Sequence, residues 1–167
     1  MDALSFDARR AKVVRLLSYG GLIPFVGGAA LAWMAEGVAQ AVVVRAVVVY
    51  AVSILSFIGA IHWGRILAGQ DRAGQDNAAQ DGAGQDGETS GSAWLVWGVA
   101  PSLLGWGATL LPSGLTIPAL ILSFFLAWAV DRSAASDGRY PRWFGTLRTR
   151  LTIVVCLTLA ALIPLGA

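Results

Sequence analysis

Few side chains in this sequence are equipped for chemistry. His62 is the only histidine of the chain, and it lies near the end of an apolar stretch, Ser53 to Arg65, that reads SILSFIGAIHWGR. Trp63 and Arg65 follow it closely, and Asp131 stands next to another apolar run far along the chain. A histidine held by a carboxylate relays protons near neutral pH. His62, Trp63, Arg65 and Asp131 are therefore the candidate functional or ligand-facing residues. Catalytic residues in the usual sense are not readable: there is no Cys/His metal cluster, no phosphate-binding glycine loop and no Ser-His-Asp arrangement. Neither a metal nor a cofactor is expected, and an enzyme activity is not implied. Cys156 is the single cysteine, set in an apolar run, so no intrachain disulfide forms and an inert thiol is expected.

The elements that must position these residues follow from composition. Of 167 residues, 56% are hydrophobic and 13% charged, against about a quarter charged in ordinary soluble domains. Mean hydropathy is +0.66. The charges are clustered and leave uncharged runs of membrane-spanning length. The sequence thus predicts an all-α integral membrane helical bundle of five transmembrane helices, over about 16–35, 46–67, 94–111, 115–130 and 149–166. A basic N-terminus, 1–15, precedes the single membrane domain, 16–167. The first run is too long for a signal-peptide core.

Within the first run Pro24 is expected to kink the helix, and Gly20 and Gly27 lie on one face that permits close packing. In the second run Ser53, Ser56, Ala60 and Trp63 fall at helical spacing and form a small, mildly polar face expected to pack inward. Gly59 and Ala60 allow another helix to approach. The third and fourth runs are joined by Leu111-Pro112-Ser113-Gly114, a turn sequence that makes them an antiparallel hairpin. Asp131 and Arg132 stop the fourth run. Trp143, Phe144 and Leu147 then suggest a short amphipathic helix on the membrane surface before the last span.

Residues 68–93 are different material: AGQDR, AGQDN, AAQDG and AGQDG follow with a five-residue period. The segment has almost nothing to bury and is expected to be a disordered loop.

Basic residues set the orientation. Arg9, Arg10, Lys12 and Arg15 precede the first span, Arg65 and Arg72 follow the second, and Arg132, Arg139, Arg142, Arg148 and Arg150 lie between the fourth and fifth. With five spans these share one side, and Arg45 is alone on the other. The N-terminus is then cytoplasmic and the C-terminus outside, in a cell inner membrane. Trp63, Trp94, Trp97 and Trp128 fall at the cytoplasmic ends. Arg139, Arg142, Arg148 and Arg150 are assigned to lipid headgroups, and nucleic-acid binding is set aside.

Three segments, GLIPFVGG, SFIGAIHWG and RYPRWFGTLRTRLT, together resemble the domain of unknown function 3429 family, which includes bacterial inner-membrane proteins and the animal transmembrane protein 69. The resemblance runs from about Leu16 to Ala167 without the repeat loop. It implies a small multi-helix membrane protein and supplies no catalytic residues.

Five spans bring the ends of the second and fourth helices to one face, which predicts a His62–Asp131 or Arg65–Asp131 contact at the cytoplasmic mouth of the bundle. Three functions fit. The first is a scaffold or assembly partner of another membrane protein or of a second copy, favoured by an absence of buried charge. The second is a small homo-oligomeric transporter or channel using His62 and Asp131. The third is a quinone- or haem-associated redox protein, with haem requiring a dimer to supply two histidines. Deleting Ala68 to Gly87 is expected to leave membrane accumulation intact. Loss of the protein from membrane fractions after that deletion would show the loop to be structural.

Overall fold

A computed structural model of the chain describes residues 3–67, 86–136 and 142–165. Six α-helices and a terminal 3-10 turn occur among the described residues: α1 (Ala3–Gly20), α2 (Ile23–Met34), α3 (Gly37–Leu67), α4 (Asp86–Ala108), α5 (Ser113–Ser136), α6 (Arg142–Leu162) and the turn Ile163–Leu165. Most of the repeat segment, 68–85, lies outside the described residues, as does Arg139.

Four helical stretches are long and apolar enough to cross a membrane: Ala11–Met34, Gly37–Gly64, Ser113–Ala134 and Trp143–Leu165. The outward faces of these stretches carry large apolar side chains such as Leu31, Val49, Phe57, Leu122 and Leu157, which suits lipid as solvent. The chain is therefore a multi-pass membrane protein. Of the expected fifth span, 94–111, residues 94–108 belong to α4 and 109–111 to the turn after it. Pro101, three glycines and three tryptophans dilute its aliphatic content, and α4 is not among the four stretches that meet both the length and the apolarity of a span.

Helix limits depart from expectation where charged residues were used as stops. Asp131 and Arg132 lie inside α5 instead of ending it. Trp143, Phe144 and Leu147, expected on a separate surface helix, lie in the first turns of α6. Arg45 lies two turns inside α3, which begins at Gly37. In each case neighbouring helices or a snorkelling side chain accommodate the charge without breaking the backbone ladder. Residues 86–93, expected as loop, open α4.

The expected kink at Pro24 is present one turn upstream. Pro24 cannot donate to the carbonyl of Gly20, and α1 gives way to α2 through Gly21 and Leu22. Leu22 stays in the helical region (φ −81°, ψ −19°), so the two helices follow one another along one path. Tyr50 Oη donates to the Gly21 carbonyl at the break (3.0 Å). At the far end of α2, Gly37 turns the chain with φ +55°, a conformation that favours glycine. Gln40 Nε2 caps the Ala32 carbonyl (3.0 Å).

The core is formed by one stripe from each of four helices, joined by Ala108 at the end of α4. Phe25, Ala29 and Ala32 come from α2; Val44, Val47, Ala51, Leu55 and Ile58 from α3; Ile117, Leu120, Phe124 and Ala127 from α5; Val155, Leu159 and Leu162 from α6. Phe25 sits edge-on to both Tyr50 (5.1 Å) and Phe124 (6.2 Å). The inward face of α3 is thus not the expected small face. Ser53 and Ala60 are exposed, and Ser53 and Ser56 bond back to the Val49 and Val52 carbonyls. Burial follows aliphatic volume, and a serine satisfied by its own helix has no need of the interior.

The glycine face of the first span is also shifted by one residue. Gly20 and Gly27 look into open space, whereas Gly28 lies against Val47 and Gly21 near Tyr50. The closest backbone approach is between α3 and α4. A Cβ on Gly59 would run into the Gly98 carbonyl, and one on Gly98 would meet the Trp63 ring. Leu55 and Val52 pack on Gly105 one layer further along. Small residues at such crossings let backbones meet where lipid gives no hydrophobic drive. Replacing Gly59 with alanine is expected to destabilise the protein by about 1–3 kcal/mol through overpacking, while Gly27→Ala stays within about 0.5 kcal/mol. Unfolding of the two variants in matched detergent micelles checks the difference.

Candidate functional site

The candidate residues lie toward one end of each core stripe. On α3 the inward series Val44, Val47, Ala51, Leu55 and Ile58 ends at His62, which is 4% exposed. On α5 Leu120, Phe124 and Ala127 lead to Asp131, 7% exposed, and on to Ala134. On α6 Leu162, Leu159, Val155 and Thr152 lead back to Arg148, 9% exposed. These steps of three and four residues follow a single helix face. At one end of the bundle, therefore, three ionisable side chains meet where each apolar stripe runs out.

Asp131 joins the three. Its Oδ1 lies 3.0 Å from His62 Nε2, and its Oδ2 lies 2.6 Å from Arg148 Nε. With the guanidinium on one oxygen, the carboxylate accepts from Nε2–H on the other, which places the imidazole proton on Nε2. The Trp94 ring stacks on the imidazole, with centroids 5.1 Å apart and planes inclined by 23°. Four helices thus contribute: α3 the imidazole, α5 the carboxylate, α6 the guanidinium and α4 the indole.

The surroundings are tied together by indole N–H groups. Trp63 Nε1 donates to the Leu95 carbonyl (2.9 Å), joining the end of α3 to the middle of α4. Trp128 Nε1 donates to Thr149 Oγ1 (3.0 Å), joining the end of α5 to the start of α6. Arg132 lies over the Trp128 ring (5.7 Å) and Arg15 of α1 over Trp143 (5.2 Å). Trp33 does the same work at the opposite end, donating to the Ala161 carbonyl of α6 (3.1 Å).

The structure brings His62 and Asp131 into contact and places Trp63 beside them as a tie between helices, half exposed. Arg65 belongs to α3, but its side chain lies outside the described residues. Arg150 is exposed at the surface. Arg148, grouped from the sequence with the headgroup arginines, is instead buried in an ion pair. It lies on the same α6 face as Thr152, Val155, Leu159 and Leu162, and that periodicity was the available signal. A surface helix around Trp143–Leu147 followed by a span from 149 breaks that periodicity at Arg148. Among the described residues no group of three His, Cys, Asp or Glu side chains converges as a metal site needs.

A fold of packed apolar helices with one ionisable cluster defines a multi-pass helical membrane protein with a polar centre near one end. The family model described as "protein of unknown function (DUF3429)" matches residues 10–164, and the chain belongs to that family. No curated protein and no solved structure matches it.

Removing one partner of a buried ion pair leaves the other charge uncompensated, at a cost of about 3–5 kcal/mol. Asp131→Ala is expected to lose stability of that order, whereas Arg150→Ala changes it by less than about 0.5 kcal/mol. Denaturant titration of both variants in the same micelles measures the contrast. Equal, small losses would show the cluster to be water-filled and energetically idle.

Proposed function

We propose that the chain is a five-span inner-membrane protein whose working centre is the His62–Asp131–Arg148 cluster, held near the cytoplasmic face. Helix α4 supplies the fifth span. It pairs with α5 through a short turn, with Thr109, Leu110 and Leu111 donating back to Trp106, Gly107 and Ala108. It also packs along α3 at Gly59, Gly98 and Gly105, which favours the same slab of the bilayer. The distribution of lysine and arginine then favours a cytoplasmic N-terminus and an external C-terminus.

The observation that carries the functional reading is the burial of Asp131 inside the stretch Ser113–Ala134, accepting from His62 and Arg148 at once. Ionisable residues that face the interior of a membrane bundle are costly and mark functional sites. In this cluster Asp131 offsets Arg148, and His62 is the member whose ring both accepts and donates a proton. A proton on His62 leaves Asp131 between two cations and gives the cluster a net positive charge. The reading is of a proton-handling centre, as in small carriers. Beyond the cluster, Phe25, Phe124, Leu55, Leu120, Leu159 and Leu162 fill the core. This favours a site entered from one end over an open channel.

The scaffold reading loses its first support, the absence of buried charge. It keeps another: Gly20 and Gly27, seven residues apart, are open on the outer face of the first span, where a partner helix or a second copy would fit. Stoichiometric co-purification of a foreign protein, lost in a Gly20→Leu, Gly27→Leu variant, would favour it.

The proton-handling reading is tested with His62→Gln. Its amide still donates to Asp131 but does not titrate. In a strain lacking the gene, the variant is expected to accumulate like wild type and fail to restore the growth or solute-uptake phenotype. Full restoration would sink the reading.

A further inference from the structure

Arg148 and Thr152 have a second setting besides the ion cluster. Both stand in the wall of a cavity of about 450 Å³ bounded by α1, α2, α3, α5 and α6. Its remaining lining is almost wholly apolar and includes Phe25, Phe57 and Phe144, with Ser18 the other polar side chain. Leu17 and Phe57, which are 70% and 69% exposed, belong to its wall, so the space opens sideways toward the lipid. The volume lies in the range of small-ligand sites, about 300–1,000 Å³.

Two polar atoms behind this wall have no hydrogen-bond partner: Arg148 Nη2 and Thr152 Oγ1, one helical turn apart on α6. Arg148 commits Nε to Asp131 and has Nη2 left over. Buried donors without partners are rare and ask for an explanation.

We propose that this cavity binds a neutral, lipid-soluble molecule with a ring-sized head bearing a carbonyl, of the quinone class. A carbonyl oxygen accepts from Arg148 Nη2 and Thr152 Oγ1 once these side chains turn toward the space, since neither atom is open to it in the unliganded chain, and the apolar body lies among the phenylalanines. Three features select this chemistry. Asp131 already balances the charge of Arg148, so an anionic head would add an uncompensated charge in a low dielectric, whereas a neutral acceptor does not. Among the described residues the lining offers no further cation for a phosphate headgroup. The sideways opening admits a molecule already dissolved in the bilayer. The proposal is of binding only, and it goes beyond the proton-handling reading because it does not involve His62.

The test uses the purified full-length chain in detergent micelles and a benzoquinone with a decyl tail, followed by thermal stabilisation and equilibrium binding against empty micelles. The expected result is saturable binding at one molecule per chain. Thr152→Val keeps the shape of the side chain and removes the hydroxyl, and it is expected to weaken binding about fivefold, the worth of one hydrogen bond. Leu17→Trp, at an exposed position, is expected to block the opening and abolish saturable binding. An analogue with the same tail on a dimethoxybenzene, lacking the carbonyls, is expected to bind at least fivefold more weakly to wild type. Partition no greater than into empty micelles, equal binding of the analogue, or saturable binding untouched by Leu17→Trp would overturn the proposal. So would a co-purifying phospholipid displaced by Leu17→Trp in a chain that takes up no quinone. Because His62 is intact in every sample, failure here leaves the proton-handling reading standing, and loss of function in His62→Gln leaves this one standing.

Discussion

A carboxylate inside an apolar bundle is the constraint to which the rest of this structure answers. Asp131 stands on a helix face otherwise made of leucine, phenylalanine and alanine, and its charge has little water to stabilise it. Arg148 and His62 take the place of that water. Their geometry fixes the rotation of α3, α5 and α6 about their axes, since any other rotation carries one of the three side chains into lipid. The ion cluster contributes less as a source of net stability than as a statement of register, a role well attested for buried polar groups in helical assemblies.

Packing elsewhere is consistent with that register. The α3–α4 crossing is set by backbone touching backbone at Gly59 and Gly98, and it carries the Trp94 ring to the face of His62. The α5–α6 pair is joined at the same end by Trp128 and Thr149. At the opposite end Trp33 reaches the Ala161 carbonyl. Indole groups at both ends of the bundle therefore clamp neighbouring helices, in addition to any part they take in the interfacial belt. Helix α1 is held more lightly, through Arg15 on Trp143, and the cavity lies in the space it leaves.

Much of this was legible from residue types alone. Long apolar runs, glycines at helix crossings and the nearness of His62 to Asp131 follow from composition and topology. What the sequence hid has one physical origin. Charged residues were read as helix ends, because a charge in lipid is costly. Once partners are counted, that cost falls, and Asp131 and Arg132 stay inside α5. A surface helix around Trp143–Leu147, separate from the last span, also conceals Arg148, whose place on the α6 face becomes visible only when Thr152, Val155, Leu159 and Leu162 are extended backward. The inward face of α3 was misjudged for a related reason. Serine spacing looked like a polar seam, but Ser53 and Ser56 satisfy themselves on their own helix and leave the interior to valine, leucine and isoleucine.

The order of the three charged partners along the chain bears on how the protein is made. Asp131 precedes Arg148 by 17 residues and follows His62 by 69. When α5 leaves the ribosome, the imidazole is already in the membrane, but the guanidinium has yet to arrive. A carboxylate entering lipid on a lone helix is disfavoured, so α5 gains its full compensation only when α6 enters beside it. Insertion of α5 and α6 is thus energetically coupled: the carboxylate of one is fully compensated only when the guanidinium of the other lies beside it.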